Sequence, residues 1–323
     1  MVRAALGTER IMDALGEVSL DRDGTSCSIF GTTLSGGTRT ELERKLARTI
    51  YRALHSGEPV DRDADVRLRT PWLERELVSA IPHRFTRVAT RVLGLSGRQL
   101  LIEVDGLRIV VGADNLDDRE PSAGGLRVVS LPAIRPALSP GFLLVDGSRG
   151  APRGGAIARI YLHLSDATTA EGVWAAALAL LEDCGARYRA KILSSAELYP
   201  RRDGIVVYLD RAEWPLVRPL TLRLTGVEGV GEQVSEFAYA AARGIGVASE
   251  PGATGDGGRP LSFGQHRARA VATGILKSAR KRNRLESAIA EELRSAGVDP
   301  DRPFIAENEV NGPDHWLRLL QCA

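Results

Sequence analysis

The stretch Ala158-Arg159-Ile160-Tyr161-Leu162-His163-Leu164 sets an arginine, a tyrosine and a histidine at alternate positions. Read as a strand, it turns Arg159, Tyr161 and His163 to one face and Ile160, Leu162 and Leu164 to the other. The aliphatic face is ordinary core. The other carries a guanidinium, a phenol and an imidazole in one row, which a purely structural strand does not require. Lys191 follows, and then Arg201-Arg202-Asp203, read as a turn. The set offers an acid, a base and cations for a phosphate.

Each residue also has a plainer reading. In Tyr188–Leu193 the alternation puts Arg189, Lys191 and Leu193 on one face, and a solvated lysine on a half-exposed strand is the simple alternative. Neighbouring cations (Arg159, Arg201 and Arg202) favour the neutral amine, which is a usable base. His163 could be a hydrogen-bonded structural histidine, and Tyr161 could be packing. An arginine held by Asp203 makes a planar fork for phosphate, or a local surface ion pair. Ser262-Phe263-Gly264-Gln265-His266-Arg267 is sharper, because Ser262 with Gln265 three residues on is a capping box. Arg267 would then lie near the free N–H groups of a helix start, where an anion is favoured. A plainly capped helix is the alternative.

These residues need elements to carry them. The pattern predicts strands at 157–164, 187–193 and 204–209, and helices near 168–183, 211–216, 233–244, 264–279 and 282–296. Residues 1–92 read as mostly helical, with Leu42, Leu46, Ile50 and Leu54 near a helical period. Either Thr38 or Thr40, the latter with Glu43, would cap that helix. From 97 to 148 the chain turns β-rich, with Leu100–Val104 and Leu107–Val111 flanking the hairpin signal Asp105-Gly106. Strands are also expected at Leu126–Ser130 and Phe142–Asp146. Residues 147–156 read as a linker and 249–261 as a flexible loop by composition.

Composition narrows the function. The 323 residues are 43% hydrophobic and 26% charged, as in a soluble globular protein of one or two domains. A net charge of +2 suggests neither a nucleic-acid nor a membrane partner, and no apolar run approaches a membrane span. Cys27, Cys184 and Cys322 form no zinc pattern, and the histidines no metal pair, so no metal is expected and a reducing cytoplasm fits. Gly31–Thr38 lacks the Gly-Lys-Ser/Thr of a P-loop, and the basic run Lys277–Arg284 lacks interleaved aromatics. Asp314-His315 has no nucleophile motif beside it.

Roughly residues 150–280 resemble the Hop-A-type family. Its members were first described as type III effectors of plant pathogens. They also occur as a standalone component of biosynthetic clusters for class V lanthipeptides and thioamidated peptides. The resemblance rests on Arg159-x-Tyr161-x-His163, Tyr188-x-Ala190-Lys191-Ile192, Arg201-x-Asp203-x-x-Val206-x-Tyr208, Gly244-Ile245-Gly246 with Glu250-Pro251, and Ser262-Phe263-Gly264-x-x-Arg267. Leu131-Pro132 and Ser139-Pro140-Gly141-Phe142 are similar to the biosynthetic members.

The resemblance implies a phosphothreonine or phosphoserine lyase acting in the cytoplasm on a precursor peptide that a partner kinase has phosphorylated, with a cyclase in the same pathway. Elimination would leave dehydroalanine or dehydrobutyrine. Lys191 would be the base and His163 the acid, in the order of phosphothreonine lyases. Those lyases have a basic residue two positions before the histidine, where this chain has Tyr161. Arg159, Arg201, Arg202, Arg267 and Ser262 would hold the phosphate, and Tyr208 would orient the base or the substrate. No cofactor is required. The alternatives are a non-catalytic module binding phosphopeptide or leader peptide, and an effector lyase acting on host signalling kinases. The expected architecture is α+β: a helical and β-hairpin N-terminal region to residue 150, offering a strand edge to a leader, then a phosphothreonine-lyase-like α+β domain over 151–323.

Overall fold

In the computed structural model residues 7–21, 23–60, 66–104, 106–117, 126–136, 138–154, 156–249, 261–281 and 284–305 are described. Glu250-Pro251, most of the 249–261 loop, Asp314-His315 and Cys322 lie outside them. The fold is α+β, as expected. In chain order the elements are α1 (Thr8–Leu15), β1 (Ser19–Leu20), β2 (Ser26–Ile29), β3 (Thr32–Ser35), α2 (Arg39–Ile50), α3 (Pro71–Ser79), β4 (Phe85–Thr90), β5 (Val92–Ser96), β6 (Gln99–Val104), β7 (Leu107–Gly112), β8 (Leu116–Asp117), β9 (Arg127–Pro132) and β10 (Phe142–Asp146). Then come β11 (Ile157–Leu164), α4 (Ala170–Asp183), β12 (Tyr188–Leu193), β13 (Arg201–Asp210), α5 (Val217–Leu224), β14 (Tyr239–Ala242), β15 (Ile245–Ser249), α6 (Phe263–Lys281) and α7 (Leu285–Ser295).

A six-stranded antiparallel sheet in the order β10-β12-β13-β11-β15-β14 organises the molecule. Period-two alternation gives it two buried faces. Ala158, Ile160, Leu162 and Leu164 of β11 join Trp174, Leu178 and Leu181 of α4 in one core. Tyr161 joins the other, with Leu42, Leu46 and Ile50 of α2 and Phe263, Val271 and Ile275 of α6. Three small sheets, β1-β2-β3, β4-β9-β8 and β5-β6-β7, stand beside this body.

Local chemistry explains the main helices. Thr38, not Thr40, caps α2: its Oγ1 accepts from Glu41 N at 3.2 Å. The buried leucine row of α2 continues through a π-helical turn, Tyr51–Ser56, which buries Leu54 and His55. The capping box of α6 is reciprocal. Ser262 Oγ accepts from Gln265 N at 3.3 Å, and Ser262 N donates to Gln265 Oε1 at 3.0 Å.

Some local expectations give way to tertiary pairing. The described part of residues 1–92 does hold three α-helices, but β1, β2 and β3 form a meander and Phe85–Thr90 a strand. The helix expected at 233–244 is instead a run of turns ending in β14, which gains its hydrogen bonds from the edge of β15. The helix expected at 211–216 is a 3₁₀ segment leading into α5. Arg201-Arg202-Asp203 is not a turn but the start of β13.

The loop after β10 is no loose linker. Gly147 N donates to Tyr188 O, and Ser148 N to Glu182 Oε1. The boundary drawn at residue 150 therefore falls between two strands of one sheet, since β10 pairs with β12.

Candidate active site

The chemistry gathers on the sheet face under α2 and α6. Antiparallel partners share a face, so the register sets Leu144, Lys191, Val206, Tyr161 and Gly246 in one row. The next row is Asp146, Arg189, Tyr208, Arg159 and Ala248. Lys191 and Arg159 thus lie two strands and one row apart, roughly 12 Å between Cα positions from standard sheet spacings.

Lys191 is half-buried, and among the described residues it has no hydrogen-bond or ion-pair partner. Its ammonium stands 4.2 Å from the centre of the Phe142 ring, and the Arg201 guanidinium lies 5.5 Å from the same ring. Arg159 is buried with its guanidinium 5.1 Å over the Tyr208 ring. Phe142 belongs to the Ser139–Phe142 run singled out in the sequence, though no catalytic chemistry marked it.

A bulge brings further charge to this face. Leu162 pairs with Ile205 and Leu164 with Arg201, so the single residue His163 opposes three on β13. Such an insertion re-aims the side chains that follow. Gly204 permits it, because a Cβ there would come within 2.8 Å of the Leu164 side chain. Asp203 and Arg201 consequently meet α2's extension. Arg201 Nε donates to Asp203 Oδ1 at 2.7 Å and Nη2 to Oδ2 at 2.9 Å, a bidentate pair. Tyr51 Oη donates to Asp203 at 3.1 Å and accepts from Arg201 Nη2 at 3.1 Å. Glu58 Oε2 is 3.6 Å from Arg201 Nη1.

His55 completes this buried network and has no forerunner in the sequence reading. Its Nδ1 lies 2.8 Å from Ser235 Oγ, and its Nε2 3.9 Å from Asp203 Oδ2. The ring packs edge-on against Tyr161, 5.1 Å between centroids. Burial pushes the His55 imidazole down to about 4; Asp203 opposes this, while Arg201, Arg159 and Lys191 reinforce it. Burial also works against the charge of Asp203, yet Arg201 outweighs it and holds the carboxyl below its usual range. At neutral pH the network holds a neutral imidazole beside a carboxylate–guanidinium pair.

The remaining expected site residues lie elsewhere. His163 Nδ1 accepts from Gln233 N at 3.0 Å. Burial and then Arg202 lower its pKa. Arg202 donates to Gln233 Oε1 and to the carbonyls of Ala53 and Leu54, so it tethers the π-helical turn. Arg267 is fully buried, packs 4.2 Å from the Phe263 ring and donates Nε to Pro303 O at 3.1 Å. Ser262 is occupied with its cap. The structure therefore brings together Lys191, Arg159 and Tyr208 on the sheet. It commits Arg201 to Asp203, Arg202 to backbone carbonyls and Arg267 to the interior, because each guanidinium satisfies a buried acceptor. Among the described residues no cluster of His, Cys, Asp or Glu is arranged for a metal, and no helix is long and apolar enough to cross a membrane.

No curated protein matches the chain. Two solved structures are similar: the effector protein from Pseudomonas syringae pv. tomato strain DC3000, at 16% identity and a TM-score of 0.40, and that from Pseudomonas syringae pv. syringae strain 61, at 18% and 0.39. Each match covers 51% of this chain and 62% of the other, so the chain spans less than two thirds of their length. The family model described as the HopA1 effector protein family matches residues 133–305, a span that takes in all six strands of the central sheet. Since that is more than half of its 323 residues, the chain belongs to the HopA1 effector protein family.

Proposed function

We propose that the protein is a carbon–oxygen lyase that eliminates phosphate from phosphoserine or phosphothreonine in a peptide. The observation that carries this reading is Lys191, a half-buried lysine with no ion-pair or hydrogen-bond partner among the described residues, set against an aromatic ring and within one row of a buried arginine. A lysine kept for structure pairs with a carboxylate or points to water. One left without a carboxylate and set beside other cations suits a base.

Lys191 Nζ takes the Cα proton. The Cα–H electrons form the Cα=Cβ bond as the Cβ–O bond breaks. A phosphomonoester carrying one proton leaves as hydrogen phosphate, so charge and protons balance. Arg159, steadied on Tyr208, offsets the charge growing on the departing oxygens. His163, the acid expected from the sequence, is turned to Gln233, so the reading does not depend on it.

The substrate favoured is a precursor peptide phosphorylated by a partner kinase, with a cyclase acting on the dehydrated product. Membership of an effector family favours a second substrate, a phosphorylated host signalling kinase, for the same elimination.

The test is Lys191→Ala with a phosphothreonine peptide. Mass spectrometry should show the phosphopeptide persisting, with no loss of phosphoric acid, while calorimetry still registers binding through Arg159. Normal turnover by that variant would remove the assignment. A precursor peptide and a kinase activation-loop peptide run side by side separate the two substrates.

A further inference from the structure

Behind the buried network lies a cleft of about 700 Å³ that the elimination does not use. Its size falls within the ~300–1,000 Å³ of ligand clefts. One wall is α2 and its π-helical extension. Arg44, Arg48 and Arg52 recur there at intervals of four, so they line one side of the helix. The opposite wall is the start of α6, with Leu261, Gln265 and Arg269. Ala47 lies among them, and Tyr51 and Glu58 close one end. Those last two also touch Arg201, so the cleft and the charged sheet face share a wall.

Among the described residues the charge in the cleft is unbalanced: four guanidinium groups face two carboxylates. Both carboxylates are engaged within the protein: Glu43 accepts from Thr273 at 3.0 Å and lies 3.8 Å from Arg269, while Glu58 accepts from Ser56 at 2.8 Å and faces Arg201. Arg44 and Arg48 are exposed, and among the described residues neither has a hydrogen-bond or ion-pair partner.

From this juxtaposition we propose that the cleft binds an acidic peptide segment, with its carboxylates on Arg44 and Arg48 and its apolar side chains on Ala47 and Leu261. A peptide fits better than a nucleic acid. Base recognition relies on stacking aromatics, and the one aromatic in the cleft wall among the described residues, Tyr51, turns its hydroxyl inward to Asp203. If the lyase reading above holds, this segment is the part of the substrate remote from its phosphorylated residue. Binding here is independent of that reading.

The test uses the full chain and a short fluorescein-labelled peptide of repeated Glu-Glu-Leu, followed by anisotropy at low salt. The parent should bind it, and added salt should weaken binding. The double variant Arg44→Glu, Arg48→Glu should lose about tenfold or more in affinity. Its thermal transition should stay near the parent's, since both side chains are exposed. A Lys-Lys-Leu peptide should not bind. No binding by the parent, equal binding by the variant, or equal binding of the lysine peptide overturns the proposal. So does displacement of the Glu-Glu-Leu peptide by oligothymidylate at equal strength, which would assign the cleft to polyanions at large. Elimination from a minimal phosphothreonine peptide without acidic residues is measured in parallel. The double variant should retain it. Failure of elimination in the parent strikes the lyase reading alone, and failure of acidic-peptide binding strikes the cleft alone.

Discussion

His55 Nε2 stands 3.9 Å from Asp203 Oδ2, and both side chains are buried. One comes from the π-helical turn after α2, the other from the bulge of β13. This contact ties the N-terminal helices to the sheet face that carries Lys191.

The contact predicts a pH dependence. Burial favours the neutral form of His55 and holds its imidazole down at about 4 in the folded chain, below the ordinary histidine value of about 6.5. Between those values the unfolded chain binds the extra proton and the native state does not, so stability rises with pH across the window. The loss between pH 6.5 and 4 is on the order of 3 kcal/mol for this group. His55→Gln should flatten the fall of Tm with acid. His266, also held at about 4 by burial and its arginine neighbours, should leave a residual slope. A profile as steep as the parent's would show that His55 is not buried neutral.

Asp203 neutralises Arg201 in the interior. Asp203→Asn leaves a buried guanidinium short of its bidentate partner and should destabilise by about 3–5 kcal/mol. Tyr51→Phe removes one hydroxyl from the same network and should cost about 1–3 kcal/mol. Urea denaturation of both variants checks the order. If Tyr51→Phe costs as much as Asp203→Asn, Arg201 is held mainly by the phenol.

His163 is a discriminating case. General acid catalysis is worth roughly 10²–10⁴-fold, and its loss would show on that scale. Because His163 Nδ1 is engaged with Gln233 N–H, we expect His163→Ala to slow phosphate release by less than about tenfold while lowering Tm. A loss of 10² or more, relieved by a substrate with a better leaving group, would restore His163 as the acid.

Arg267 gives a sharp contrast with Arg159. Buried and bonded to Pro303, it should act on stability alone. Arg267→Lys should lower stability by about 1–3 kcal/mol and leave the phosphopeptide affinity of the folded protein unchanged. Calorimetry with phosphorylated and unphosphorylated peptide decides. A loss confined to the phosphorylated peptide would return Arg267 to the phosphate site.

Local rules were enough for part of this. Alternation along 157–164 set the two faces of β11, and the leucine period set the buried side of α2, because both follow from backbone geometry over a few residues. The Ser262–Gln265 box was legible for the same reason, since its partners are three residues apart. Lys191 was singled out by residue type and strand face, and its place beside Phe142 followed only when β10 paired with β12. Tertiary structure alone decided what Arg202 and Arg267 bind. Arg201 meets Asp203 two residues on, a pair open to reading from the sequence, whereas Arg202 and Arg267 meet backbone carbonyls of distant segments, and an unsatisfied buried acceptor costs more than a solvated arginine gains. His55 carries no sequence signal, because its role depends on a bulge opposite His163 and a serine at 235, brought within reach by packing rather than by chain proximity.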